Sequence, residues 1–330
     1  MKRENGICFS CCESKKMTEE HIIPQALGGK LSAWIFCKDC NDRFGRSIDS
    51  ELIKNLHHFA TALKIHRARG KQQSYDLTNI KTGTKLTFNG SKFRRKKPIV
   101  KIEKDGEKIK SIDIRARTED ELDKIISNIT QKFKLGGEVQ KMHERHLGPT
   151  DTRTEFVFDN SMIRRCVAKI AYGLICIRLS VEYVMSPSFD EIRSYIRFGS
   201  QNDLANANFV HTAFMTDYIR PLHKIHISLN RRKGLVFGFV CLFGTFRYTV
   251  LLSKNFKSPI ELPGIDYTLD PVTSKEIFGN PNFIAPELDI NDILSPRHTK
   301  NIVMEELALG FKILENYIEG HQLLKLATDD

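Results

Sequence analysis

The sequence predicts an α+β protein, and three observations carry that prediction. Two C-x-x-C pairs, Cys8/Cys11 and Cys37/Cys40, bracket a short N-terminal stretch. A basic, strand-like tract runs from Tyr75 to Arg117, and the C-terminal half pairs an apolar helical run with a β-branched meander. At 330 residues with 41% hydrophobic content, the chain is long enough for about two domains with real cores. We divide it into a metal-knotted unit over 1–60, a basic α+β module over 61–150, and an α+β domain over 151–330 that selects a target or partner.

The first element is the knot. Each C-x-x-C loop can hold one side of a tetrahedral zinc at a Zn–S distance of roughly 2.3 Å, so two loops close a four-thiolate site. Such a site organises a segment too short for a large core. Cys11 is chosen over Cys12 because it gives both loops the same two-residue gap, leaving Cys12 as a neighbouring thiol that could substitute. A redox dithiol fits less well, since it needs one C-x-x-C beside a βαβ pattern. The knot places His21 beside Asn41. After it, Ile48, Leu52, Leu56, Phe59 and Leu63 recur at steps of four and three, predicting a helix from Gly45 to Arg69. His57, His58 and His66 ride on it as interface or surface residues.

Turn signals at Lys81-Thr82-Gly83-Thr84 and Lys104-Asp105-Gly106-Glu107 separate alternating runs and predict two hairpins. Between them lies Arg94-Arg95-Lys96-Lys97, the best candidate for a phosphate clamp. A helix from Thr118 to Leu135 follows, opened by Thr118-Glu119-Asp120-Glu121 and closed by Gly136-Gly137. Further on, Met162, Ile163, Cys166, Val167, Ile170, Leu174 and Ile177 predict a broadly buried helix, and a short one spans Asp190 to Phe198. Leu222 to Ser253 reads as an antiparallel meander, broken at Asn230–Gly234 and at Gly244-Thr245. A Pro-rich connection from Leu262 to Pro296 leads to a last helix over Thr299–Leu326.

Charge is unevenly spread. The net value is +11, and residues 51–150 carry 23 Lys/Arg against 12 Asp/Glu, whereas residues 1–50 carry 8 against 7 and residues 151–330 carry 20 against 21. Such an excess suits salt-dependent contacts to a phosphate backbone. Met1 to Gly6 reaches the first cysteine without an apolar leader, and the longest apolar run, Leu235 to Phe243, falls short of the roughly 20 residues a membrane helix needs. A cytoplasmic protein is expected, with Cys166, Cys176 and Cys241 as core residues. His143-x-x-His146 and His223-x-x-His226 lack a third ligand for a metal. The absence of a Gly-rich phosphate loop with its lysine argues against an NTPase motor.

Taken together, Cys8-x-x-Cys11, Glu20-His21-Ile22-Ile23-Pro24, Leu27-Gly28-Gly29, Cys37-x-x-Cys40-Asn41 and Phe44-Gly45 resemble the HNH endonuclease family in its zinc-stabilised ββα-metal form, over about the first 50 residues. The resemblance implies a structural zinc on Cys8, Cys11, Cys37 and Cys40, His21 as general base, and a catalytic divalent ion, Mg²⁺ first, held by Glu20 and Asn41. Asn41 would sit at the helix entrance, with Arg43 and Arg46 close enough to help hold phosphate. One departure stands out: Ser32 occupies the position of the family's central Asn, which orients the base. Glu20 replaces the commoner Asp at smaller consequence.

The expected function is metal-dependent hydrolysis of DNA phosphodiester bonds, with double-stranded DNA as partner and defence against foreign DNA as a family-level setting. A homodimer or a partner protein in such a system is the assembly expectation. Two alternatives stay open: a zinc knot that binds nucleic acid without cutting it, and an effector nuclease that needs a partner to fire.

Overall fold

Cys37 ends the third strand and stands at the N-cap of the first helix, so a single residue joins the cysteine pairs to the secondary structure. The computed structural model describes residues 5–66, 73–91, 93–135, 152–217, 219–230, 232–257, 264–279, 286–294 and 300–328, with side chains as far as 320. Strands β1 (Asn5–Ile7), β2 (Ser14–His21) and β3 (Ser32–Cys37) form an antiparallel sheet in that order. Between the pairs Thr18↔Phe36 and Glu20↔Ala33 the register shifts, so Trp34 and Ile35 both lie across from Glu19.

Helix α1 (Lys38–Phe44) then begins at Lys38 rather than at Gly45, placing Asn41 inside the helix and not at its entrance. A π-helical turn at Gly45–Asp49 leads into α2 (Ser50–Ala62). All five predicted stripe residues, Ile48, Leu52, Leu56, Phe59 and Leu63, are buried. The helix stops at Ala62, short of the expected Arg69, because Lys64 takes a left-handed conformation (φ 54°).

Residues 72–156 form one compact unit. Its strands β4 (Tyr75–Asn79), β5 (Lys85–Phe88) and β6 (Phe93–Arg95), with β7 (Ile99–Asp105) and β8 (Lys108–Arg115), build the two predicted hairpins. Helix α3 (Glu119–Phe133) is capped by Thr118, whose hydroxyl accepts the Glu121 N–H at 3.2 Å. Lys134, at φ 49°, ends it, and the expected Gly136-Gly137 stop lies outside the described residues. The short strand β9 (Thr152–Arg153) pairs with β4.

Residues 1–71 and 157–330 form the other unit, so the segment we set apart as 1–60 and the one set apart as 151–330 share one body. Helices α4 (Ser161–Arg178), α5 (Val181–Val184) and α6 (Asp190–Phe198) precede β10 (Ala205–Ala207), β11 (His223–Asn230), β12 (Leu235–Leu242) and β13 (Phe246–Ser253). The Pro-rich connection supplies two strands not expected from the sequence, β14 (Ile265–Asp270) and β15 (Lys275–Phe278). They arise because Tyr267 and Leu269 alternate inward against β11. The resulting antiparallel sheet runs β10-β13-β12-β11-β14-β15, followed by α7 (Ile290–Leu294) and α8 (Lys300–Thr328).

Helix α4 explains why the two segments merge. A Cβ on Gly173 would meet Ile22 Cδ1 at 2.8 Å, and one on Gly238 of β12 would meet Ala171 Cβ at 3.1 Å, so α4 is packed on both sides. Tyr172 donates its hydroxyl to Phe9 O at 3.0 Å. Phe59 stacks on Phe311 at 5.7 Å and meets Phe246 at 5.0 Å. At the start of α4, Val157 N–H donates to Asn55 Oδ1 at 2.8 Å and Asn160 Nδ2 to Glu51 Oε1 at 3.2 Å. A 60-residue knot buries little apolar surface alone, and α4 with the sheet supplies the remainder.

Candidate active site

The four expected thiols converge. Ligand atoms of Cys8, Cys11, Cys37 and Cys40 all lie within 4.8 Å of one another, the one such group of His, Cys, Asp and Glu among the described residues. Cys11 Sγ and Cys37 Sγ are 3.9 Å apart, close to the separation of about 3.8 Å that a tetrahedron with Zn–S near 2.3 Å requires. Cys12 is exposed at φ 63° and is not part of the group. The Cys37 N–H donates to Cys8 Sγ at 3.2 Å. The Cys40 thiol bond to Cys8, aided by backbone N–H groups, draws the Cys8 thiol down to about 4. The same contact pushes the Cys40 thiol up and burial raises Cys11, so it is the spacing of the four sulfurs that makes the donor set fit zinc.

Glu20 does something other than expected. Alternation along β2 sends it inward, 6% exposed, while its neighbour His21 is half-buried on the opposite face. Its carboxylate accepts from the Lys169 ammonium, which also lies 2.6 Å from Asp49 Oδ1. Cys166 donates its thiol to the same Asp49 oxygen at 3.1 Å. Burial opposes the charge on Lys169, yet Asp49 and Glu20 outweigh it and raise the ammonium above its ordinary value. The carboxylate expected to face a cation beside His21 is engaged here by a lysine from α4.

Asn41 reaches β2 just before His21. Its Nδ2 donates to Thr18 Oγ1 and to Glu19 O, each at 3.0 Å, and its side-chain oxygen makes no hydrogen bond among the described residues. Ser32 lies directly across from His21 in register, but its hydroxyl donates to Glu19 Oε1 at 2.7 Å instead of orienting the imidazole. Arg43 and Arg46 are exposed on the same helical stretch, Arg46 within 4.0 Å of Asp42. For a catalytic divalent ion the fit is thus partial: Asn41 offers an oxygen, and Glu20 is taken.

Arg94, Lys96 and Lys97 are exposed and Arg95 is half-exposed, all within the unit formed by residues 72–156. Consecutive residues of β6 alternate faces, so Arg94 and Arg95 point oppositely. Lys96 is ion-paired with Asp76. His223 and His226, three apart on β11, also lie on opposite faces, one bonded to Leu27 O at 2.9 Å and the other to Asp266. His143 and His146 lie outside the described residues.

Lys169 and Asp49 were missed from the sequence. A signal for the first exists: Val167-Ala168-Lys169-Ile170-Ala171 sets one charge in an otherwise apolar helix, and such a charge needs a partner. Nothing local identifies which partner.

Among the described residues no helix is long and apolar enough to cross a membrane. A search of curated proteins returns no match, and neither does a search of solved structures. Residues 7–57, however, match the family model described as HNH endonuclease. That segment is nuclease-related, with nucleic acid as its class of substrate, and it contains all four thiols, Glu20, His21, Asn41 and Asp49.

Proposed function

We propose that this chain is an endonuclease that hydrolyses DNA phosphodiester bonds, with the N-terminal segment as its cutting unit. The match over residues 7–57, coinciding with the four-thiolate frame, is the observation that supports it. In this reading His21 accepts the proton of the attacking water, since an imidazole near neutral pH suits that transfer. Its place at the end of β2, half-buried and across from Ser32, leaves it reachable by solvent. Asn41, fixed to Thr18 and Glu19, presents its amide oxygen from the first turns of α1.

Zinc on the four cysteines is structural in this reading. A divalent ion, Mg²⁺ first, is the cofactor proposed for cleavage; when bound it would neutralise charge on the scissile phosphate. Asn41 would hold it, while Glu20 acts as the anchor that ties β2 to α4. Arg43 and Arg46, with Arg94, Arg95, Lys96 and Lys97, would hold phosphates without reading sequence. Double-stranded DNA, a cytoplasmic setting, a dimer or protein partner, and a defence role remain proposals of the same kind.

One observation favours a second reading. The engagement of Glu20 by Lys169 removes a carboxylate from the cation site, which suits a zinc knot that binds nucleic acid without cutting it. A plasmid nicking assay across Mg²⁺, Mn²⁺ and Ni²⁺ decides between the two. Cleavage by the wild type that is lost in His21→Ala supports the nuclease, and retention of DNA by both proteins with no cleavage under any ion supports the binder.

A further inference from the structure

Phe198 closes α6 with 63% of its surface open to solvent. Gly199 turns the chain directly after it at φ 77°, with the Arg165 side chain 3.6 Å from where a Cβ would stand. Two guanidinium groups lie over the phenyl ring: Arg197 at 4.8 Å from the centroid and Arg43, from α1 of the nuclease-related segment, at 5.8 Å. Neither arginine forms an ion pair with a carboxylate among the described residues, and Arg197 Nε is buried with no partner. Arg165, which donates to Ile196 O and Arg197 O, is pulled below its ordinary value by burial and then by the charge of Arg43. Two guanidinium groups thus lie over one exposed ring, neither of them ion-paired among the described residues, and a third, Arg165, stands against the glycine that follows it.

A phosphodiester chain matches both halves of this patch, since phosphates take guanidinium groups and a base can cover an aromatic ring. A duplex keeps its bases stacked on one another and offers the ring no free face. Arg43 is exposed on a long stem, so a base can enter between it and the ring if the present 5.8 Å opens to about 7 Å, two layers at a rise of about 3.4 Å. We infer that Phe198, Arg43 and Arg197 form a stacking platform for an unpaired stretch of the DNA that the nuclease-related segment cuts. This rests on the nuclease reading above. Arg43 follows Asn41 by two positions on α1 and so faces another side of the helix, which sets the platform about one helix width from the proposed site of cutting.

The test uses the full chain with no added divalent ion, a single-stranded oligonucleotide carrying 2-aminopurine, and a duplex of the same sequence. Wild type should quench the 2-aminopurine and bind the single strand. Phe198→Ala should weaken that binding about tenfold or more and abolish the quench, Phe198→Tyr should retain both, and the duplex should be unaffected. Arg43→Ala should lower the salt slope of single-strand binding by about one. Equal single-strand affinity in wild type and Phe198→Ala, or an equal loss on the duplex, overturns the platform. If wild type nicks plasmid while Phe198→Ala binds single strands normally, the platform alone fails. If wild type neither binds nor cuts DNA, the nuclease reading fails with it. Because the ring is exposed, matched thermal melts will show that the variants fold.

Discussion

Lys169 holds Asp49 at 2.6 Å, and through that contact a helix 120 residues further along the chain grips the nuclease-related segment from inside. The same ammonium carries Glu20, so removing it leaves two buried carboxylates facing each other. Lys169→Met should cost about 3–5 kcal/mol, the range for breaking a buried pair by deleting one partner. Urea unfolding measures it. A midpoint equal to wild type would mean that these charges do not hold the two segments together.

Removal of metal gives a second expectation. Cys37→Ser should abolish zinc binding, lower the melting temperature and expose the strands that lead into α1, because Cys37 is one of the four clustered thiols and stands at the N-cap of that helix. Elemental analysis of purified protein with a thermal melt checks both. Zinc retained at full stoichiometry in the variant would remove Cys37 from the ligand set.

Acid should loosen the body through buried imidazoles. His223 donates Nε2–H to Leu27 O and accepts the Phe243 N–H at 3.2 Å, which assigns it the neutral tautomer with the proton on Nε2. Burial holds its pKa down to about 4, against roughly 6.5 in an unfolded chain. The unfolded state therefore takes up a proton that the folded state refuses, so stability is full above about pH 6.5 and drains as pH falls toward 4. His58, also lowered to about 4 by burial, acts in the same direction. Between pH 7 and pH 5 the loss should be about 2 kcal/mol per imidazole. Denaturant midpoints at the two pH values measure it, and His223→Gln should flatten the slope.

Two glycines should respond in opposite ways. A Cβ on Gly29 would lie 1.8 Å from the backbone oxygen of Ile23, which cannot move aside as a flexible side chain could. Gly29→Ala should destabilise by more than about 3 kcal/mol. Gly45, in the helical stretch with open space around its missing Cβ, should gain about 0.5–1 kcal/mol when changed to Ala. Thermal melts of both variants distinguish packing from backbone freedom as the reason each glycine is present.

Elements set by local pattern were legible in the sequence. The cysteine spacing located the four thiols, the four-and-three stripe located α2, and the Thr118 cap located α3 to within a residue at its start. The two predicted hairpins, α4, α6 and the meander also stand close to where periodicity put them. What escaped depended on contacts distant in sequence. Strands β14 and β15 were hidden by prolines around them, since composition there outweighed a short alternation. The contacts of Glu20 were not legible because its neighbours, Asp49 and Lys169, are chosen by packing that no single segment announces. The sequence marked Phe198 only as the end of a short helix, and its exposure beside two arginines gives it a further meaning.

The stitch between α2 and the start of α4 bears on how the gene can be cut. Residues 72–156 are one continuous stretch set between two stretches of the other unit, and directly after them Val157 donates to Asn55. Splicing out codons 73–156 and bridging the gap with a flexible linker should leave a zinc-containing remainder that still folds, whereas cutting after codon 66 to isolate the first segment would strip Ile22, Phe59 and Asp49 of their cover. The excisable cassette is the middle of this protein, and the nuclease-related segment is built into the frame.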